Sequence, residues 1–406
     1  VLIKFWIVFK FRLNRKARGF RNSFWCGRIE TINYKKMRIT IPFLGLLFLW
    51  AFCDPVYHSE QPNAIASPNV LKYSASTTSN GARSKENLLA YFDYLVSRGR
   101  LIAGQQCGEN SVQVNEYYQE YVGRLAGKTN KFAGLIGASL EILPQEKHSL
   151  NTLIDHWDQG GLVSLSWEAH NPFIPAYESH WNSVEGKESI NLRALLRHAP
   201  ESKAKSKYRN ELDRVARALQ DLQQAGVVVI WRPFKDMNTH YFWYGIDHYD
   251  GMQSNESDFK ALWQDLYTTL RYEYGLDNLI WTYSVAPDYG WNAGVTAYYP
   301  GSDYVDLVGV NYYGPKPDFP NYDELKSLGK TMVMAETGPS EAAAGSWDEL
   351  QLINRLSGKV AYFMQWHSWK GAKVAIKDNR KANYMMNSSK VITREELRIE
   401  TLNSYE

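Results

Sequence analysis

Two acidic residues stand out because each follows or closes a short β-rich run at its polar end. Asp236 lies in Trp231-Arg232-Pro233-Phe234-Lys235-Asp236-Met237-Asn238, and Glu336 lies in Ala335-Glu336-Thr337-Gly338. A third acid, Glu168, follows a run that ends at Trp167, and Trp366 follows another. Most carboxylates cap helices or pair with bases. A pair held across a cleft can instead divide one reaction, one acid attacking carbon while the other protonates the departing oxygen. That division of labour is what cleavage of a glycosidic bond requires. Arg232 is placed to keep a neighbouring carboxylate ionised, because a nearby guanidinium lowers its pKa.

Such acids work only if the chain holds them at one rim. From about residue 85 the sequence alternates β-rich runs with helical stretches. The runs are Leu101–Gln105, Phe132–Ile136, Leu162–Trp167, Val227–Arg232, Leu279–Tyr283, Val305–Val310, Thr331–Ala335 and Val360–Gln365. Several are continuously apolar, as parallel strands buried on both faces should be. Helices are expected over Lys85–Arg98, Glu211–Ala225 and Ser257–Tyr274, the second stopped by Gly226. Eight β-then-α units predict a single (β/α)8 barrel, the TIM-barrel architecture, of α/β class, spanning residues 85–399. The largest insertion falls at 168–210, after the third strand. A doubly wound sheet would want a glycine-rich phosphate turn after its first strand, and Gly104-Gln105-Gln106-Cys107-Gly108 does not supply one. In a barrel, active groups gather where strands end at the carboxyl face. Asp236 and Glu336 lie 100 residues and three βα units apart, which sets them across that mouth.

Charge narrows the partners. Of the 46 basic and 43 acidic side chains, residues 1–38 hold 11 basic ones and a single acid, Glu30. Residues 39–406 therefore carry 35 basic against 42 acidic groups, a mildly acidic body with no field for nucleic acid. The aromatic share, 14%, is high, and aromatic faces suit the C–H faces of sugar rings. Cys107 is the one cysteine of the body, so neither a disulfide framework nor a structural zinc site is expected.

Residues 1–36 read as an upstream leader or a mistranslated segment. From Met37, the bases Lys35, Lys36 and Arg38 border an apolar run from Ile39 to Cys53. Residues 37–53 are thus expected to be a signal peptide, cleaved before Asp54, with lipid anchoring at Cys53 as the alternative. A secreted or cell-surface location follows. Residues 54–84, rich in Ser, Asn, Thr and Pro, read as a linker, and 400–406 as a tail.

Several segments, in order, are similar to glycoside hydrolase family 26. They are Gly161–Trp167 with Asn171-Pro172, Trp231–Phe234 with Met237-Asn238, Phe242–Gly245, Leu279–Ser284, Tyr299–Gly301 with Asp303–Asp306, Ala335–Gly338, and the tail segments Met386-Asn387 and Glu395–Leu397. The resemblance covers roughly residues 85–398, and ordered co-occurrence is far more specific than any single motif. It implies a β-mannanase-like enzyme with Glu336 as nucleophile and Asp236 as acid/base. Tyr283 would hydrogen-bond the nucleophile, and Trp243 and Trp366 would stack sugars. Arg232, Trp167 and Phe242 would complete the substrate contacts, and Glu168 and Lys235, at the same mouth, are further candidates for them. No metal or organic cofactor is implied. The partner is a polysaccharide or oligosaccharide, with no nucleic acid and no obligate protein partner.

Two departures bear on mechanism. The family carries His-Glu where this chain has Lys235-Asp236, and a His where it has Glu168. Asp is one methylene shorter than Glu. The Lys235 ammonium is expected to favour an ionised Asp236, the wrong direction for a proton donor. A hydrolase of another β-glycan (β-1,3-xylan or mixed-linkage glucan) and a catalytically impaired glycan-binding barrel therefore stand beside a secreted retaining mannanase.

Overall fold

Eight short segments of buried residues bond side by side, all parallel. In chain order they are β1 (Leu101–Gln106), β2 (Leu135–Ser139), β3 (Leu162–Trp167), β4 (Val229–Pro233), β5 (Leu279–Val285), β6 (Leu307–Gly314), β7 (Thr331–Pro339) and β8 (Tyr362–Gln365). Each pairs with the next, and β1 pairs with both β2 and β8, which closes the sheet into a barrel. A two-residue strand, β9 (Val391–Ile392), adds at the start of β1. The computed structural model describes residues 83–399 apart from 109–112, 141–149, 176–189, 246–253 and 370. The expected leader, export signal, Cys53 anchor and tail, and nearly all of the expected linker, lie outside the described residues.

Closure leaves these strands no free edge, and their runs of Val, Ile and Leu are buried on both sides. The helix Lys203–Gln224 shows how the outer layer is fixed. Ser202 caps it by accepting from the Lys205 N–H, and Tyr208, Leu212, Val215, Leu219 and Leu222 form a buried stripe at helical spacing. Burying each such Leu or Val stabilises the fold by roughly 1.5–3 kcal/mol. Leu212→Asp would put a charge into that seam and break it. The same stripe carries Glu211, whose Oε1 accepts from the Trp167 indole N–H at 2.8 Å. Its Oε2 lies 3.1 Å from His170 Nδ1. One helix thus pins the segment after β3, where Glu168 stands.

Six of the eight barrel strands, all but β3 and β8, run past the ends expected for them. β6 continues through Asn311, Tyr312 and Tyr313 to Gly314, and β7 continues through Glu336 to Pro339. β2 begins at Leu135 rather than Phe132, and β4 at Val229 rather than Val227. The helix expected from Glu211 starts eight residues earlier, at Lys203. Between β6 and β7 the register jumps: Val310 faces Met334, and the next residue, Asn311, faces Glu336. Ala335 is therefore an extra residue in β7, a bulge that bends the strand and re-aims the side chain beside it.

Candidate active site

The bulge delivers Glu336 to the barrel mouth with only 2% of its surface exposed. Its Oε1 accepts from Arg232 Nη1 at 2.7 Å and from Lys235 Nζ at 2.9 Å, and its Oε2 from the Tyr313 hydroxyl at 3.2 Å. Arg232 is itself fully buried, and its Nε donates to Ser164 Oγ on β3 at 3.1 Å. Burial alone would raise the Glu336 pKa. The Lys235 and Arg232 cations outweigh that and hold it below the ordinary glutamate value.

Asp236 is set by an unusual backbone. Phe234 and Asp236 both adopt left-handed φ angles, 52° and 55°. Residues held there cost about 1–3 kcal/mol each and persist only where neighbours over-determine them. Here the Phe234 N–H donates to the Trp167 carbonyl at 3.1 Å and the Asp236 N–H to the Ser284 carbonyl at 3.0 Å. The Tyr244 hydroxyl holds the Lys235 carbonyl between them at 3.1 Å. The Asp236 carboxylate is half-buried, and its Oδ1 accepts from Asn311 Nδ2 at 2.8 Å. Asn311 is fixed in turn by the Ser284 hydroxyl, 2.8 Å from its Oδ1.

The expectation that Lys235 ionises Asp236 is overturned. Burial and the negative charge of Glu336 raise Asp236 to about 7, and the opposing effects of Lys235 and the Asn311 amide are smaller. The ammonium is committed elsewhere. It bonds Glu336, lies 3.3 Å from Glu168 Oε1, and sits 4.4 Å from the ring centroid of Trp366. A cation between two carboxylates and above an indole face is strongly stabilised in its charged form, and Lys235 is raised accordingly despite burial.

The structure thus brings together Glu336, Asp236, Arg232, Lys235, Glu168 and Trp366. It does not bring Tyr283 to Glu336. The Tyr283 hydroxyl donates instead to the Val295 carbonyl at 3.0 Å, on the segment after β5. Tyr313, on the extended end of β6, takes its place. Nor does Trp243 present a face to ligand: it is fully buried, with its indole N–H on the Ala169 carbonyl. Trp167 is equally buried, stacked on Trp231 and Tyr208, and Phe242 packs nearly parallel to Tyr244 at 5.2 Å. These three are wall, not sugar contacts, because no face of theirs is open.

Sequence reasoning missed Tyr313, Asn311 and Ser284. The alternation Asn311, Tyr313 on one strand face was available, but the expected strand stopped at Val310, where the apolar run ends. It also missed Tyr241, which is 37% exposed one residue before the buried Phe242.

The profile of Glycosyl hydrolase family 26 matches residues 77–396. The chain belongs to that family. As a family 26 glycoside hydrolase it is mannanase-like, and the family implies a polysaccharide substrate. It is 28% identical over 376 residues to the mannan endo-1,4-beta-mannosidase A and B of Caldalkalibacillus mannanilyticus, an alignment covering 90% of this chain and 69% of that protein. It is 34% identical over 224 residues to a mannan endo-1,4-beta-mannosidase of Bacillus subtilis, covering 53% of this chain and 59% of that one. The chain thus spans little more than half the length of this second relative. Among solved structures, Bacillus subtilis mannanase man26 superposes with a TM-score of 0.65 at 22% identity, covering 79% of this chain and 95% of that one. This likeness establishes the shared eight-stranded barrel.

Proposed function

We propose that this family 26 hydrolase cleaves β-1,4-mannan by double displacement. Glu336 attacks the anomeric carbon while Asp236 protonates the departing glycosidic oxygen, and a covalent glycosyl-enzyme forms. Asp236, now ionised, takes a proton from water, which attacks the anomeric carbon and releases the sugar from Glu336. Arg232 and Lys235 keep Glu336 ionised for attack, and the Tyr313 hydroxyl orients its second oxygen.

One observation carries the reading. Two carboxylates at one barrel mouth have their pKa values pushed apart, Glu336 downwards and Asp236 up to about 7. Such a split assigns the ionised partner to nucleophile and the protonated one to acid near neutral pH. Mannan as the substrate is supported by the named relatives. Export is supported by the sequence of residues 37–53, and the catalytic unit is taken as residues 85–399.

The test is reducing-sugar release by the purified chain from β-mannan, β-1,3-xylan and mixed-linkage glucan. Release from mannan above the other two is expected. Preference for xylan or glucan would reassign the substrate. Binding without turnover of any glycan would leave a carbohydrate-binding barrel.

A further inference from the structure

Beyond the carboxylates, three of the large side chains more than a third exposed gather on the loops after β4 and β5. They are Tyr241, Tyr289 and Trp291, at 37%, 44% and 44% exposed. The Tyr289 ring lies 5.6 Å from Trp291 at an interplanar angle of 10°, and the Tyr241 ring 6.0 Å from it. His240 approaches the same indole at 4.9 Å. Aromatic rings left free on a mobile loop would fold inwards to shed water. Here hydrogen bonds hold the backbone of the β5 loop that carries Tyr289 and Trp291.

Asn238, two residues after Asp236, staples the β5 loop. Its Nδ2 donates to the Ala286 and Ala293 carbonyls at 2.9 and 3.1 Å, and its Oδ1 accepts from the Ala286 N–H at 3.0 Å. Inside the loop, Asn292 accepts from the Tyr289 N–H at 2.8 Å and donates to the Pro287 carbonyl at 2.9 Å. Gly290, at φ 77°, makes the turn that separates the two rings in sequence. The aromatic pair is therefore held in fixed register with the turn that carries Asp236.

We propose that Tyr289 and Trp291 form a stacking subsite for the sugars that depart, the β-linked hexopyranose units on the leaving-group side of the cleaved bond. The assignment rests on the proposed function above. The proton donor must stand at the oxygen of the leaving group, so a platform anchored beside Asp236 lies along the departing chain. An exposed indole on a hydrogen-bonded loop offers a flat apolar face to the C–H face of a pyranose, at a reduced ordering cost when the ligand arrives. Such a contact acts on long substrates and not on those whose leaving group is a single small ring.

The experiment compares the parent with Trp291→Ala and with the Tyr289→Ala/Trp291→Ala pair. Substrates run from manno-trimer to manno-hexamer, beside a dinitrophenyl β-mannobioside whose leaving group contains no sugar. On the hexamer, kcat/KM is expected to fall about tenfold, mostly through KM, while the aryl glycoside loses less than about twofold. Equal losses on every substrate would mark a loop that merely braces Asp236, and no loss on the hexamer would leave the platform without a role. Either result overturns the proposal. If the parent turns over none of these substrates, the function reading falls, and calorimetry with the hexamer decides on the platform. A Kd about tenfold weaker in the variants supports it, and an equal Kd, or no binding by the parent, overturns it.

Discussion

Glu336 and Asp236 share one barrel mouth, yet the strands that carry them treat the two acids in opposite ways. Glu336 lies within β7, buried and met by Arg232 from β4, Tyr313 from β6 and Lys235 from the turn after β4. Asp236 stands on a left-handed turn beyond β4, half-buried, met by one neutral amide and facing another carboxylate. Burial acts on both and would raise both. The difference lies in what the chain sets beside each group: cations for one, an anion for the other. Two carboxylic acids of nearly equal intrinsic strength acquire different chemistry from their neighbours alone.

The largest effect should come from deleting the ionised member. Glu336→Ala is expected to lower kcat on mannan by at least about a thousandfold, because the covalent step has no substitute nucleophile. The same variant leaves Arg232 and Lys235 facing each other without their shared anion, so a thermal melt should accompany the assay.

Removing the protonated member should cost less and depend on the leaving group. Asp236→Ala is expected to lose on the order of 10²–10⁴-fold on mannan, the usual contribution of a positioned acid. On a dinitrophenyl glycoside the loss of the glycosylation rate should largely disappear, since that leaving group needs no proton. An equal loss on both substrates would move the acid role away from Asp236, with Glu168 the first group to examine.

The two tyrosines give a sharper and smaller contrast. Tyr313→Phe removes the hydrogen bond to Glu336 Oε2 and should lower kcat about tenfold, the equivalent of a bond of ~1.4 kcal/mol to a charged acceptor. Tyr283→Phe should leave kcat at the parental value. Its cost is expected in the melting temperature, through about 1–3 kcal/mol for the Val295 carbonyl left buried without a donor. Reversal of that pattern would restore the assignment read from sequence.

The smallest expected change is a displacement of the pH profile. Activity requires Glu336 ionised and Asp236 protonated, so kcat/KM should fall above about pH 7 and again below the ordinary glutamate range. Lys235 lowers the pKa of both groups. Lys235→Met should therefore move both limbs to higher pH, by about one unit. Movement of the acid limb alone would show that Lys235 does not act on Asp236.

Much of this was written in the order of residues. Continuous apolar runs flanked by helical stripes announce eight parallel strands, and the strand-end rule leads directly to Glu336, Asp236 and Arg232. What failed did so where composition stops reporting geometry. The end of β6 is polar and aromatic, so Tyr313 looked like loop, and the family resemblance gave its place to Tyr283 on β5. The bulge at Ala335 shifts the β6–β7 register by one residue, and no residue type encodes that. Trp243 and Trp291 are the same amino acid, one a fully buried wall and the other 44% exposed. The Ala169 carbonyl and the rings of Phe173 and Tyr244 hold the first inside, while Asn238 and Asn292 brace the loop that presents the second. For Lys235 the sign of the effect on Asp236 was right, but its size was decided by burial and by Glu336, which sequence distance does not reveal.

The left-handed backbone at residue 236 also has a consequence for heredity. Among residues with a Cβ, short polar ones enter this region more readily than long or branched ones. Any mutation at codon 236 is therefore sieved by conformation before selection can weigh its acidity. A glutamate would regain the missing methylene only by accepting a torsion it tolerates less well. In descendants of this gene, a change to the longer acid should travel together with changes in the turn from Pro233 to Thr239, because the side chain and its backbone can drift only as a unit.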